Sequence, residues 1–315
     1  MNPLLKSVED YLSLRRRLGY KLKDSGTHLH DFVSFLERHG AAYITTDLAL
    51  RWAMQPGNAQ PAHWAARLRS VRLFAQHHSS SDPRTEVPPL DLLPYRSRRK
   101  QPYIYSTTEI RRLMAATKDL SSTTGLRPWT YSTLLGLLAV TGLRISEALG
   151  LHQDDVDLPQ CVLTIRSTKF NKTRLVPVHP TTREALRCYA RHRDRAYPRP
   201  KTSSFFVSER GTRLERSCVS RTFYRLSRWV GLRAPTDHHG PRLHDFRHGF
   251  VVRTVLRWYR EGVAVDPRMP VLSTYMGHGH VSDTYWYLSA VPELLQLAAA
   301  RLDRSQGGIS HDDLS

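Results

Sequence analysis

The most informative segment of the chain lies near its C-terminus and reads Val271-Leu-Ser-Thr-Tyr-Met-Gly-His278-Gly-His-Val-Ser-Asp-Thr-Tyr285-Trp-Tyr287-Leu288. A short apolar stretch ends at a Gly-His pair, a turn follows, and a second short segment contains two tyrosines. On a helix, residues two apart point roughly 200° away from each other. Only one of Tyr285 and Tyr287 can therefore face a given site.

Two segments upstream are equally marked, Thr141-Gly-Leu-Arg-Ile-Ser-Glu-Ala-Leu149 and Leu243-His-Asp-Phe-Arg-His248. The three segments together contain an ordered set of polar residues, which are Arg144, His244, Arg247, His278 and, nine residues later, Tyr287. This set resembles the signature of the tyrosine recombinases, also called the phage integrase family. The resemblance covers the last two-thirds of the chain.

Length and composition indicate a globular protein with room for two domains. The chain has 315 residues, of which 40% are hydrophobic and 24% charged. No apolar run approaches the roughly 20 residues of a membrane span, and the N-terminus lacks the apolar region of a signal peptide. The three cysteines are far apart and have neither a disulfide pattern nor a zinc spacing. We therefore predict a cytoplasmic protein with no membrane partner.

Charge is the most informative bulk property. The chain contains 47 Lys and Arg against 28 acidic residues, a formal net charge of +19 with a pI near 10.3. Residues 1–95 carry +3 and residues 96–315 carry +16. Such a surplus favours a polyanionic partner through phosphate contacts and counterion release. A solubilising surface is the alternative, but charge and motifs together predict double-stranded DNA as the partner and an association with the nucleoid.

The first 95 residues show the apolar periodicity of helices. Apolar positions and cap signals predict four helices, over residues 4–18, 24–40, 45–54 and 60–78. Four helices of this length make a small bundle. The family resemblance implies that residues 1–95 are a SAM-like core-binding domain that contacts DNA.

The helical pattern then breaks into a stretch rich in Ser and Pro that extends to Pro102. We predict an interdomain linker over residues 96–103. Its basic residues, which are candidates for contact with a DNA backbone, are Arg96, Arg98, Arg99 and Lys100. The alternative for this linker is a solvated hinge.

Residues 104–315 have the pattern of a mainly α domain. A capping box opens a helix at Ser106, and a long apolar helix after Pro128 ends at Gly142. Strand patterns occur at residues 161–165, 173–178 and 204–207. Helical patterns occur at residues 181–196, 215–230, 244–260, 271–276, 281–288 and 292–302. We predict a mixed α/β catalytic domain, mostly helical, with a small three-stranded antiparallel sheet.

Arg144 follows the predicted helix end at Gly142, so its guanidinium is held rigidly at a helix junction. This group is always charged and can bind two phosphate oxygens at once. An ordinary salt bridge to Glu147 or Asp154 is the alternative. The sequence therefore marks Arg144 as a candidate phosphate ligand.

His244 and Arg247 are three residues apart, so one helical face carries both near N–H groups that favour an anion. His248 lies on the same side, either as a packed neighbour or as a contact. Tyr287 has the spacing of a nucleophile after His278. A phenol with a pKa of about 10 attacks only where cations stabilise the phenolate, and the ordered set supplies those cations.

Signatures of metal and cofactor chemistry are missing from the sequence. There is no P-loop, no HExxH and no paired CxxC. The acidic run Asp154-Asp155-x-Asp157 is more typical of a turn cap than of a magnesium site, and His238-His239 has no evident further ligands. We predict neither a metal nor a cofactor.

The resemblance implies a role for the hairpin between the first two long strand patterns. Family members deliver a lysine from this tip to the leaving oxygen, and the match to Asn171-Lys-x-Arg-Leu-Val-Pro places it at Lys169. Phe170 stands where the family usually has a small residue. Lys172 and Arg174 would then be phosphate or surface contacts.

For the whole protein the resemblance implies a site-specific DNA recombinase. Tyr287 would attack the scissile phosphate while Lys169 protonates the departing 5′ oxygen. The phosphate would be surrounded by Arg144, Arg247, His244 and His278. A homotetramer, or a mixed tetramer with related recombinases, would act on paired sites through a Holliday junction. The long segment between Arg247 and His278 favours a mobile-element integrase over a chromosome-dimer resolvase.

Several alternatives stay open from the sequence. A type IB topoisomerase would use similar chemistry on a single duplex, and a DNA-binding protein with a dead site would use none. Tyr285 is expected to pack beside Trp286. Proton transfer is open between His244 and His278. The C-terminal helix at residues 292–302 is expected to dock into a neighbouring subunit, or else to pack on its own core.

Overall fold

The computed structural model describes residues 3–94, 101–166, 173–237, 240–289, 293–297 and 299, with the backbone alone for residues 287–289. The chain divides into two compact units, Met1–Lys100 and Gln101–Ser315. A helical bundle and a mainly α unit with one small sheet were both predicted, and this fold class is confirmed. Within the described residues, every helix is too short or too polar to span a bilayer.

Four helices form the first unit: α1 (Pro3–Arg17), α2 (Lys23–Arg38), α3 (Thr46–Met54) and α4 (Pro61–His78). These bounds agree with the predicted ones to within two residues. The Thr45 hydroxyl accepts a hydrogen bond from the Leu48 N–H and thereby caps α3. The apolar faces of the helices meet in a core that contains the buried aromatic residues Phe32, Phe35, Trp52 and Phe74.

The second unit contains eight α-helices within its described residues. They are α5 (Thr107–Ala116), α6 (Leu126–Thr141), α7 (Ile145–Gly150), α8 (Pro180–Ala196), α9 (Arg216–Trp229), α10 (Asp245–Arg260), α11 (Met269–Met276) and α12 (Ser282–Ser289). The predicted capping box is confirmed, since the Ser106 hydroxyl accepts from the Glu109 N–H while the Glu109 carboxylate accepts from the Ser106 N–H.

The helix α6 is central to this unit and packs against α5, α8 and α10. Because neighbours surround it, apolar residues are buried on nearly all of its sides. It begins at Leu126, two residues before Pro128. Pro128 does not interrupt the helix, because proline is tolerated in the first turn. As predicted, it ends at Gly142, whose φ of 63° is in the left-handed region that favours glycine.

One small antiparallel sheet lies beside these helices, with the order β1 (Val156–Asp157), β2 (Val162–Ile165) and β3 (Arg174–Pro177). Leu163 is opposite Val176, and both are buried. The second and third strands were predicted, but the assignment of 204–207 as a strand was wrong. In that segment Ser204 and Val207 form only isolated bridges, to His152 and Arg213.

The error at residues 204–207 has a physical reason. Phe205, Phe206 and Val207 are all buried, so the segment is a continuous apolar run that packs around Tyr189 rather than a strand with alternating faces. Such short runs do not distinguish a strand from other buried segments. The strand that completes the sheet is instead β1, which has two residues and is too short to give a periodic signal.

Candidate active site

Arg144 lies between α6 and α7, where it is the residue that precedes the first turn of α7. Its Nη1 donates to Glu147 Oε1 at 2.8 Å, and its Nη2 donates to the Gly277 carbonyl at 3.2 Å. Its backbone N–H donates to Glu147 Oε2 at 2.9 Å. The junction salt bridge considered from the sequence is therefore present with Glu147, and it fixes Arg144 at the site instead of removing it from there.

His244 and Arg247 lie at the start of α10. Arg247 is only 1% exposed, and its Nη1 and Nη2 donate to the carbonyls of Gly142 and Met276 at 3.0 and 2.6 Å. Its guanidinium thus joins the C-terminal ends of α6 and α11. His244 is exposed at the edge of the same site.

His278 follows Gly277, which ends α11 with a φ of 67°. The His278 Nδ1 is 2.7 Å from the hydroxyl oxygen of the buried Thr284 on α12. This contact ties the end of α11 to the helix that carries both tyrosines. The Gly-His turn noted in the sequence therefore serves to place an imidazole beside the two arginines.

His248 is a packed neighbour of this group and is 8% exposed. Its ring meets the ring of His244 edge-on, with 4.6 Å between centroids, and the ring of Trp286 at 5.8 Å. It therefore lies between the histidine at the start of α10 and the helix α12. The packed role, one of the two readings of the sequence, is the one that the structure favours.

The pKa values of the three histidines at the site, His244, His248 and His278, are lowered. Partial removal from water is the main cause for each residue, including His244 at the edge of the site, and nearby positive charges act in the same direction. The pKa of His278 falls to about 4 and that of His248 to about 3, while that of His244 is lowered as well. The imidazoles are therefore neutral at neutral pH, so each can donate one N–H hydrogen bond and accept one proton.

Arg174 is not at the surface, where it was expected as a phosphate or surface contact. Its side chain is 12% exposed, and its Nη1 and Nη2 donate to the two carboxylate oxygens of Glu147 at 3.1 and 2.8 Å. Its Nε donates to the Tyr275 carbonyl at 2.9 Å. The expectation of a surface contact was wrong, because a basic residue beside a hairpin has the same sequence pattern whether it faces solvent or a buried acid.

Glu147 is the residue that sequence reasoning undervalued, since it appeared there only as a possible partner in a salt bridge. Its side chain is 7% exposed and receives hydrogen bonds from Arg144 and Arg174. Burial opposes its ionisation, but these hydrogen bonds outweigh that effect and lower the pKa of its carboxyl group. The Arg-x-x-Glu spacing at a helix start was the available signal.

The two tyrosines are both on α12. Tyr285, which was expected to pack beside Trp286, is 40% exposed, and its hydroxyl is 3.4 Å from Asp266 Oδ1. Tyr287 has its backbone in the same helix, and its side chain lies outside the described residues. Positions two apart on a helix are roughly 200° apart, so the position of Tyr287 is on the face away from that of Tyr285.

Several predicted site residues lie outside the described residues. They are Lys169, Lys172, Arg96, Arg98, Arg99 and Lys100. The ends of the hairpin that contains Lys169 are described, because Ile165 on β2 pairs with Arg174 on β3. Across the described ranges, no three His, Cys, Asp or Glu side chains are grouped as a metal site would require. Asp155 and Asp157 instead accept hydrogen bonds from the backbone N–H groups of His152 and Gln160.

The geometry and comparison with known proteins lead to the same family. Residues 105–293, more than half of the chain, match the family described as the phage integrase family. A Sinorhizobium fredii protein named integrase/recombinase y4rB is 48% identical over 308 residues, which are 96% of this chain and 98% of that protein. The chain therefore belongs to the phage integrase family of tyrosine recombinases.

Two solved structures have the same fold. The Tn1549 transposon integrase in complex with transposon right end DNA has a TM-score of 0.66 at 16% identity, and the match covers 95% of this chain and 98% of that one. A lambda integrase tetramer bound to a Holliday junction has a TM-score of 0.57 at 17% identity, with coverages of 88% and 77%. At these identities the likeness concerns the fold.

Proposed function

We propose that this protein is a site-specific recombinase that cuts and rejoins duplex DNA through a 3′-phosphotyrosyl link. The observation that carries the proposal is the convergence of Arg144, Arg247 and His278 at the C-terminal end of α11. This end is tied through Thr284 to α12, the helix of Tyr287. Such a cluster can bind one phosphate and present it to a residue on α12.

The chemistry we propose is a transfer of the phosphoryl group to Tyr287 and back. The tyrosine oxygen attacks phosphorus, the bond to the 5′ oxygen breaks, and Lys169 gives that oxygen a proton. A 5′ hydroxyl later attacks the tyrosyl ester, so the bond energy is kept without a nucleotide cofactor. We expect no metal requirement, and unchanged cleavage in EDTA is the test.

The two arginines supply the charge that such a reaction needs. Arg144 and Arg247 would bind the nonbridging oxygens, on which negative charge builds in the transition state. Fixed donors of this kind usually contribute the largest share of catalysis. Because carbonyl oxygens already orient both guanidinium groups, little reorganisation would be needed when DNA binds.

The histidines have a different role in this proposal. His244 and His278 would orient the phosphate and take part in moving the tyrosine proton. A neutral imidazole can accept that proton, and the lowered pKa values of both residues favour the neutral form. A bound phosphate would raise these pKa values again, because its negative charge favours imidazolium.

We assign the DNA-binding parts in the same way. Residues 1–95 would be the core-binding domain, 96–103 the linker and 104–315 the catalytic domain. The net charge of +19 supports binding of duplex DNA, with Lys172 and the linker cations as candidate contacts. A tetramer on paired sites and a Holliday-junction intermediate are proposed by analogy with the lambda integrase complex.

A mobile element is the most suitable context. The S. fredii relative is named an integrase/recombinase, and the Tn1549 transposon integrase was solved in complex with transposon right end DNA. We therefore propose integration or transposition of a mobile element. A type IB topoisomerase is the competing function, and a strand-exchange assay with paired sites separates the two, because a topoisomerase relaxes one duplex without exchanging strands.

The proposed function is tested with a suicide substrate, a duplex nicked so that the short 5′-hydroxyl product diffuses away after cleavage. Wild-type protein should accumulate a covalent adduct with DNA. Tyr287→Phe should bind DNA and form none, whereas Tyr285→Phe should react normally. The reverse result would identify Tyr285 as the nucleophile. If no adduct formed even on the native recombination site, the protein would instead be a DNA-binding protein without catalytic activity.

A further inference from the structure

Three consecutive carbonyl groups at the end of α11 each accept a hydrogen bond from a different arginine. The carbonyl of Tyr275 accepts from Arg174 Nε at 2.9 Å, and that of Met276 accepts from Arg247 Nη2 at 2.6 Å. The Gly277 carbonyl accepts from Arg144 Nη2 at 3.2 Å. Two of these arginines, Arg144 and Arg247, were expected at the scissile phosphate, and Arg174 was expected as a phosphate or surface contact.

The end of a helix is well suited to hold cations. Its last carbonyl groups have no partner within the helix and carry the negative end of the helix dipole. Gly277 lets the chain turn there with a φ of 67°, and a Cβ at this position would come within 2.8 Å of Arg174 Nη1. The close approach of the Arg174 guanidinium to this turn therefore depends on glycine.

Arg174 and Arg144 also share a single acid. The Glu147 carboxylate receives two hydrogen bonds from the Arg174 guanidinium and one from the Arg144 guanidinium, and a fourth from the Arg144 N–H. Arg174 thus occupies both carboxylate oxygens. Arg144 makes one side-chain contact with the acid, through Nη1, and its Nη2 is directed to the Gly277 carbonyl.

We propose that Arg174 is a positioning residue that acts on Arg144 through Glu147, an inference that rests on the proposed function. All three of its guanidinium nitrogens donate to protein acceptors, so binding a phosphate would require these contacts to break. Its charge also balances that of Glu147, which leaves the charge of Arg144 available to the substrate. Without Arg174, the acid would draw Arg144 into a closed two-pronged ion pair.

The choice of arginine follows from the geometry. A planar guanidinium can donate two parallel hydrogen bonds to a carboxylate and a third, from Nε, to a carbonyl. A lysine can supply the charge, but it cannot reproduce this fork. The charge and the geometry of Arg174 can therefore be tested separately, with Arg174→Met removing both and Arg174→Lys removing the fork alone.

The test compares two suicide substrates that differ at the scissile linkage. One carries the normal phosphodiester, and the other a methylphosphonate, in which a methyl group replaces one nonbridging oxygen and removes the formal charge. Arg144→Met and Arg174→Met should each slow adduct formation on the phosphodiester, the latter by about 10²-fold, as for a catalytic group displaced by a small distance. On the methylphosphonate both losses should shrink below about tenfold, because less charge has to be stabilised.

Arg193→Met is the matched control. Arg193 is also a buried arginine of the second unit, and it donates to the Phe205 carbonyl and to Gln153, away from the residues of the site. This substitution should change only the fraction of folded protein. Any decrease in the rate of adduct formation should therefore be the same on the two substrates. An equal loss on both substrates for Arg174→Met would overturn the proposal, and so would wild-type activity.

Two further variants keep the test decisive if Arg174→Met folds poorly. Arg174→Lys should remain at least about tenfold slower than wild type on the phosphodiester, and full activity would contradict the need for a fork. In a Glu147→Gln background, Arg174→Lys should slow adduct formation by a much smaller factor than it does in the wild-type protein. The effects of two substitutions that act through the same contact are not additive. Additive losses would overturn the proposal.

The outcome for wild-type protein separates this inference from the proposed function. If wild-type protein forms no adduct on either substrate, the proposed function is wrong and the inference is wrong with it. If wild-type protein reacts and the Arg174 variants lose equal factors on both substrates, the inference alone is wrong.

Discussion

At the scale of single residues, the site combines guanidinium groups with imidazoles whose pKa values are lowered. Arg144 and Arg247 are identifiable in the sequence, because an arginine beside a helix-ending glycine and a His-x-x-Arg pair have recognisable spacing. Their partners are not identifiable, since those are mainly backbone carbonyls, which have no side-chain signal. Arg174 illustrates the same limit: whether it faces DNA or Glu147 depends on a contact between residues 27 positions apart.

The histidines predict how stability responds to pH. His248 is buried, and its pKa falls from the ordinary 6.5 to about 3 on folding. Between these values the unfolded chain binds a proton that the folded protein does not, so stability is complete above pH 6.5 and declines as pH falls. The contribution of this residue amounts to about 2–3 kcal/mol lost between pH 7 and pH 4.5.

The measurement is urea unfolding of wild type and His248→Gln over this pH range. The variant has no imidazole to titrate at this position, so its free energy of unfolding should fall less steeply with decreasing pH. Parallel curves for the two proteins would show that burial of His248 does not affect its protonation.

At the scale of elements, helices were predicted more accurately than strands. The cap signals at Thr45, Ser106 and Gly142 are local, and the structure confirms all three. The strand β1 was missed because its two residues are defined by their pairing with β2, which is a tertiary property. The turn at Gly277 was visible as a Gly-His pair, but its role in holding three arginines at one helix end was not.

Gly277→Ala is the most informative change at this scale. Gly262→Ala is the matched control, because the two glycines have φ values of 67° and 70°, and a Cβ at Gly262 would meet nothing within 4 Å. Both variants should lose about 1–2 kcal/mol of stability from left-handed backbone strain. Gly277→Ala should additionally displace Arg174 and slow DNA cleavage.

Thermal unfolding and adduct formation on a suicide substrate measure the two effects. We expect Gly262→Ala to cleave DNA at nearly the wild-type rate when the temperature is well below its Tm. Equal cleavage rates for the two variants would mean that the arginines do not depend on the α11 terminus.

At the scale of the whole molecule, the start of the C-terminal segment packs on its own chain. Docking into a neighbouring subunit was predicted for the helix at residues 292–302. In the described part, Leu294 is 1% exposed and packs with Val251, Met269 and other core residues of its own chain. Glu293 forms an ion pair with Arg260 on α10 at 2.5 Å. The alternative of packing on its own core therefore holds for the start of this segment.

Leu294→Ala should consequently destabilise the isolated protein by about 2–4 kcal/mol, as large-to-small core substitutions do. Leu295→Ala is the control, since Leu295 is 53% exposed and its truncation should cost little. Unfolding at low protein concentration without DNA is the measurement. If Leu294→Ala left stability unchanged there but weakened assembly on DNA, the segment would act between subunits after all.

We propose above all that Tyr287 becomes covalently joined to the 3′ phosphate of cleaved DNA. The direct measurement is mass spectrometry of the adduct trapped on a suicide substrate, after digestion with trypsin and nuclease. We predict one modified peptide, with the residual nucleotide mass on Tyr287 and an intact Tyr285. A nucleotide on Tyr285, on any residue other than tyrosine, or on no residue of a protein that had cleaved its DNA would contradict it.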